Sequence, residues 1–133
     1  MSIHESGQMY LETIYILSLT KSYVRAIDVG EHLGYSKPSV SRAMSILKKN
    51  GYVLVDSDGA ITLTESGMEI AQTMYTRHTV LSEMLMRLGV DEKTATEDAC
   101  RIEHVISATT FSAIQKGLKN SPCASLIPFY VKL

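Results

Sequence analysis

Cys100, Glu103 and His104 stand together in the stretch Asp98-Ala-Cys-Arg-Ile-Glu-His. Residues three and four apart on one helix share a face, so this spacing aims a thiolate, a carboxylate and an imidazole at one point. Such a trio could ligate a metal ion; alternatively, Cys100 with His104 one turn on could form a thiol nucleophile and its base. The enzyme reading finds no further support. No glycine loop for an oxyanion, no evident third residue to orient His104 and no phosphate-binding loop accompany the pair. The metal reading gains three more groups: Met9 and Glu12 at i, i+3 near the N-terminus, and His78 in mid-chain. Thioether, thiolate, imidazole and carboxylate together suit a borderline divalent transition metal rather than Mg(II) or Ca(II).

Helices must position these groups, and the apolar pattern supplies them. Residues 5–19 form a first helix with Met9, Tyr10, Leu11, Ile14, Ile16 and Leu17 as its stripe and Glu12 interrupting it. Residues 26–33 form a short second helix ended by Gly34. Ser36 as N-cap, Pro38 in the first turn and Val40, Met44 and Leu47 at helical spacing predict a third helix over 37–49, stopped by Asn50-Gly51. Tyr52-Val-Leu-Val-Asp, the turn Ser57-Asp58-Gly59 and Ala60-Ile-Thr-Leu-Thr then read as a hairpin. A helix-turn-helix followed at once by such a ribbon is a winged helix. Thr64 with Glu65 caps a long fourth helix to about residue 88, closed by Gly89, and a fifth covers roughly 91–117, with a break expected near 97. The fold class is therefore mainly α with a small β-hairpin wing. A winged helix-turn-helix domain at 1–63 precedes a helical metal-binding and dimerisation domain at 64–120 and an irregular tail at 121–133. Val105, Ile106, Phe111, Ile114 and Leu118 give the fifth helix more apolar surface than one small core needs, which points to a homodimer, with a buried monomeric core as the alternative.

Composition bounds the function. With 133 residues, 45% of them hydrophobic and 20% charged, the chain has the make-up of an ordinary soluble protein. No apolar run approaches the roughly 18 residues that cross a bilayer, and no signal-peptide pattern opens the chain, so the expectation is cytoplasmic, with no membrane partner and reduced Cys100 and Cys123. Net charge is −1, and residues 1–63 carry six basic and six acidic groups, so DNA affinity must come from placement. Four of the six basic groups fall between 37 and 49. Ser36, Lys37, Ser39, Ser41 and Arg42 line the part of a recognition helix that enters the major groove, where Arg and Lys suit guanine edges and phosphates. Arg25, just before the second helix, is placed as a phosphate clamp, whereas the wing tip is acidic at Asp56 and Asp58.

The chain resembles the diphtheria-toxin-repressor family of metal-dependent transcriptional regulators, which includes iron-dependent repressors and manganese transport regulators. The resemblance runs from about residue 8 to 118. Its marks are Met9-Tyr-Leu-Glu-Thr-Ile-Tyr, Ser39-Val-Ser, Leu63-Thr-Glu-Ser-Gly, Arg77-His78 and Ala99-Cys-Arg-Ile-Glu-His. It implies that Met9, Cys100, Glu103 and His104 are the primary, activating metal site of the iron-type members. Manganese-type members place an aspartate and a glutamate where Met9 and Cys100 stand. Two sulfurs in place of two hard oxygens favour Fe(II), with Mn(II) as the alternative and Co(II), Ni(II) or Zn(II) as ions taken up in vitro. Glu12 and His78 match a second site of the manganese type, while Ser82 and Thr96 occupy positions where iron-type members carry ancillary ligands.

The resemblance further implies a metal-activated repressor that binds palindromic operator DNA as a homodimer and controls metal-uptake genes. It implies no small-molecule substrate. The ion would join Met9 to Cys100, Glu103 and His104 and shift the population toward the DNA-binding arrangement. Two alternatives remain at this point: a manganese-responsive regulator of the same family, and a metal-independent winged-helix regulator whose Cys100 senses oxidation.

Overall fold

The computed structural model describes residues 5–120, and the expected tail at 121–133 lies outside the described residues. The chain forms two compact units, Met1–Tyr75 and Thr76 onward.

In the first unit, α1 (Glu5–Ser18), α2 (Ala26–Leu33) and α3 (Lys37–Lys49) precede a ribbon of β1 (Val53–Val55) and β2 (Ile61–Leu63). One core holds them: Tyr10, Leu11 and Ile14 from α1 meet Val29, Val40, Met44 and Leu47 from the next two helices and Val53 and Ile61 from the ribbon. Helix α2 stops where expected, because Gly34 takes the left-handed φ of +73° that closes its last turn. Ser36 caps α3 by accepting the Ser39 N–H at 3.3 Å. With Val40, Met44 and Leu47 turned inward, Ser39, Ser41 and Arg42 are left exposed. Tyr10 packs edge-on against Tyr35, and burial, with that neighbour second, holds its phenol above the ordinary tyrosine range.

The strands pair antiparallel with Leu54 opposite Thr62. At their turn the Asp56 carboxylate accepts the N–H groups of Asp58 and Ala60, each at 2.9 Å. The Ile61 N–H donates to the Val24 carbonyl at 2.7 Å, tying the ribbon to the loop before α2. Helix α4 (Glu65–Arg87) is started by Thr64, whose hydroxyl accepts the Gly67 N–H at 3.2 Å and donates to the Gly51 carbonyl at 2.7 Å.

The second unit contains the later half of α4, then α5 (Glu92–Ile102) and α6 (Ala108–Asn120). The single fifth helix expected over 91–117 is thus two, and the interruption lies at 103–107 rather than near 97. Around 97 the helix is continuous, with Ala95 and Ala99 buried. Asp91 caps α5 through the Thr94 N–H at 3.0 Å, a bond that also lowers the Asp91 pKa. Ser107 starts α6 by accepting the Thr110 N–H at 3.1 Å. Val105 is exposed in the turn, and Phe111, Ile114 and Leu118 are half-buried along α6. Among the described residues, no helix is long and apolar enough to cross a membrane.

Gly67 sits where α4 crosses the Tyr52 backbone so closely that an added Cβ would fall 2.1 Å from the Tyr52 carbonyl oxygen. Gly67→Ala should therefore lower stability by about 3 kcal/mol, the upper end of the usual cost of overpacking. Urea unfolding checks this, with a lower midpoint at unchanged slope as the expected result.

Candidate metal centre

Helix α4 and the turn between α5 and α6 build this centre within the second unit. Glu103 is the C-cap just past the last residue of α5, and its side chain is 0% exposed. An ionised carboxylate in such a place needs hydrogen bonds or a cation to offset lost hydration. His78 supplies the first: its Nδ1 lies 2.9 Å from Glu103 Oε1. In its Nδ1–H tautomer the ring donates to this carboxylate and keeps a lone pair on Nε2. His104, whose side chain is 3% exposed, places Nε2 at 3.9 Å from Glu103 Oε2. That separation exceeds a hydrogen bond yet is shorter than two metal–ligand bonds of about 2.1 Å end to end. Glu103 Oε2 and His104 Nε2 are thus an oxygen–nitrogen donor pair at a separation that suits a divalent transition metal, while His78 holds the other carboxylate oxygen, as groups behind metal ligands commonly do.

The turn has a further anchor. Arg77 Nη1 donates to the backbone carbonyls of Glu103 and Ile106, both at 3.0 Å, and the guanidinium lies 5.4 Å from the centroid of the Phe111 ring. Sequence reasoning gave Arg77 no role of its own. A signal was present, because Met74 and Leu81 are buried on either side of it at helical spacing and a basic residue interrupts that apolar stripe.

The other expected ligands are placed as follows. Glu103 and His104 lie beyond the last residue of α5, so Cys100, Glu103 and His104 do not share one helix as their spacing suggested. Cys100 is on α5 and exposed. In the first unit, Glu12 is buried on α1, and Met9 Sδ receives a hydrogen bond from the Tyr35 hydroxyl at 3.5 Å. Tyr35 was not anticipated, and no sequence pattern relates two residues 26 positions apart. Ser82, one turn beyond His78, is buried, and its hydroxyl lacks a hydrogen-bond partner among the described residues. Thr96 is exposed.

The expected DNA-contacting residues gather at one end of α3. Ser36, Lys37, Ser39, Ser41 and Arg42 are all exposed there. Ser36 also donates to the Ser39 hydroxyl at 2.9 Å, so the two hydroxyls act as one preset polar group. Arg25 is engaged with the wing: its Nε donates to the Asp58 carbonyl at 3.2 Å, and its guanidinium lies 6.0 Å from the Tyr23 ring centroid.

Residues 2–61 match the family described as "Iron dependent repressor, N-terminal DNA binding domain", and residues 64–126 match "Iron dependent repressor, metal binding and dimerisation domain". The transcriptional regulator MntR of Lysinibacillus sphaericus is 32% identical over 109 residues, covering 82% of this chain and 78% of that protein. MntR of Geobacillus thermodenitrificans is 35% identical over 102 residues, covering 77% and 72%. A solved structure of a manganese-dependent transcriptional repressor in complex with manganese superimposes with a TM-score of 0.78 at 30% identity, over 85% of this chain. This chain spans 52% of that longer one. The winged helix-turn-helix, the helical unit that follows it and these matches across both make the chain a member of the iron-dependent repressor family of metal-dependent transcriptional regulators, and not an enzyme.

Proposed function

We propose that this protein is a metal-activated repressor that binds palindromic operator DNA as a homodimer and controls metal-uptake genes. The observation that carries the reading is buried Glu103, held by His78 and flanked by His104, in a chain that also presents Ser36, Lys37, Ser39, Ser41 and Arg42 on an exposed helix end. Met9, Cys100, Glu103 and His104 are the proposed primary ligands, with Glu12 and His78 forming the second set. The bound ion supplies positive charge and fixed ligand geometry. Ligands bind such an ion in deprotonated form, so the protein's own part is to hold the carboxylate and imidazole donors where the ion can take them. Exposed Val105 and the half-buried apolar residues of α6 are the proposed dimer surface.

Two metals are weighed by different residues. The structural neighbour at 30% identity is a manganese-dependent repressor, and the buried donors of the second unit are oxygen and nitrogen, so we place Mn(II) first. Fe(II) is the second reading, favoured by the sulfurs of Met9 and Cys100, although Cys100 is exposed and Met9 Sδ already receives the Tyr35 hydroxyl. Chelator-treated protein, titrated anaerobically with Mn(II), Fe(II), Co(II) and Zn(II) against duplex DNA selected from a random pool, tests both. Under the first reading Mn(II) restores binding at the lowest concentration, and Cys100→Ala weakens the response without changing which metal leads; undiminished metal-dependent binding in Cys100→Ala would remove it from the ligand set. Under the second, Fe(II) leads and Cys100→Ala loses the preference. DNA binding that ignores chelator and follows oxidant would remove the metal reading in favour of a redox sensor.

Base and phosphate contacts separate by salt dependence. Arg42→Ala should weaken operator binding by about 1–3 kcal/mol and relax specificity if the guanidinium reads a base edge. Lys37→Ala should weaken all sequences alike and reduce the slope of log affinity against log salt by about one. Fluorescence anisotropy over a salt series measures both, and unchanged affinity in both variants would exclude the N-terminal end of α3 from the DNA interface.

A further inference from the structure

Two consecutive residues of α4 hold the same glutamate at opposite ends. His78 bonds the Glu103 carboxylate at 2.9 Å, while Arg77 bonds the Glu103 carbonyl at 3.0 Å. Neighbouring helical positions point about 100° apart, so one side chain can reach the backbone while the next reaches the carboxylate. Arg77 also bonds the Ile106 carbonyl at 3.0 Å, so its two bonds bracket His104 within the turn. These carbonyls lie past the end of α5, where helix geometry leaves them without intrahelical donors. The Phe111 ring fixes the guanidinium from the α6 side. Arg77 Nε is itself buried without a hydrogen-bond partner among the described residues, a cost that the held turn must offset.

From this juxtaposition we propose that Arg77 is a positioning residue for the metal centre. It presets the backbone of residues 103–106 so that Glu103 and His104 present their donors before an ion arrives. The role rests on the metal-dependent reading above and adds to it a residue that touches no metal. Loss of groups that orient metal ligands typically weakens binding by about 10–100-fold. Arg77→Met keeps an apolar stem and removes both carbonyl bonds, Arg77→Lys keeps charge and donors without the planar group over Phe111, and Phe111→Leu keeps Arg77 and removes the ring.

The test is anaerobic Co(II) titration of the full chain, followed by visible absorption, with melting of each metal-free variant recorded separately and binding measured well below each melting point. Arg77→Met should bind Co(II) about 10–100-fold more weakly, with a changed absorption band. Arg77→Lys should regain part of that affinity, and Phe111→Leu should show a loss of a few fold. Wild-type affinity and band in Arg77→Met, with only a lower melting point, would make the residue purely structural and overturn the proposal. If Arg77→Met does not fold, unchanged Co(II) affinity in both Arg77→Lys and Phe111→Leu overturns it instead. A wild-type chain that binds no Co(II) removes the metal-dependent reading as well, so the two failures are distinguishable.

Discussion

A carboxylate closed off from solvent must be answered by hydrogen bonds or by charge, and Glu103 sets that requirement for the whole second unit. His78 answers one oxygen directly, which obliges α4 to run on past the first unit far enough to deliver an imidazole there. Helix α5 stops with Glu103 as its C-cap, His104 follows in the turn, and Ser107 restarts the chain as α6. Stopping a helix strands carbonyls, and Arg77 takes up two of them. Helix length, helix termination and the choice of Arg at 77 are thus linked to one buried charge. A cation is the natural complement to such a group, since it brings charge without demanding another buried side chain.

The first unit solves a different problem, which is to hold a polar helix end rigid in solvent. Helix α3 buries only Val40, Met44 and Leu47, so its placement depends on the elements around it. Thr64 bonds Gly51 just after that helix and also starts α4, joining the two ends of the ribbon. Gly67 then lets α4 lie against Tyr52 at a distance no side chain would permit. Arg25 and the Asp56 turn do the same for the wing, using backbone carbonyls and N–H groups in place of apolar contact. The wing tip is consequently shaped by the Asp56 carboxylate, which acts locally on backbone N–H groups.

Local signals suffice wherever the physics is local. Gly34 and Ser36 act on the residues beside them, so the bounds of α2 and α3 follow from their immediate sequence. The same logic was available at Ser107, yet the apolar run Ile102, Val105, Ile106 masked it by continuing a helical spacing through a turn. Val105 shows why periodicity misleads there, since it is exposed where an uninterrupted apolar stripe would bury it. Glu12 stood out as a charge within an apolar stripe, and it is indeed buried. Arg77 made the same kind of interruption in α4, but a cation on a long helix is also compatible with an ordinary solvated face.

What the residue order determined by itself was the set of elements, the chemistry of the donors and the family, because caps, turn residues, apolar spacing and ligand types are properties of short segments. The tertiary structure alone decided which donors are withdrawn from water and what holds them there. Glu103 is enclosed and Cys100 is exposed although they are three residues apart, and Met9 is met by a tyrosine from the turn between α2 and α3. Burial and hydrogen-bond partnership are set by chain segments that are distant in sequence, and no short-range pattern encodes where those segments meet.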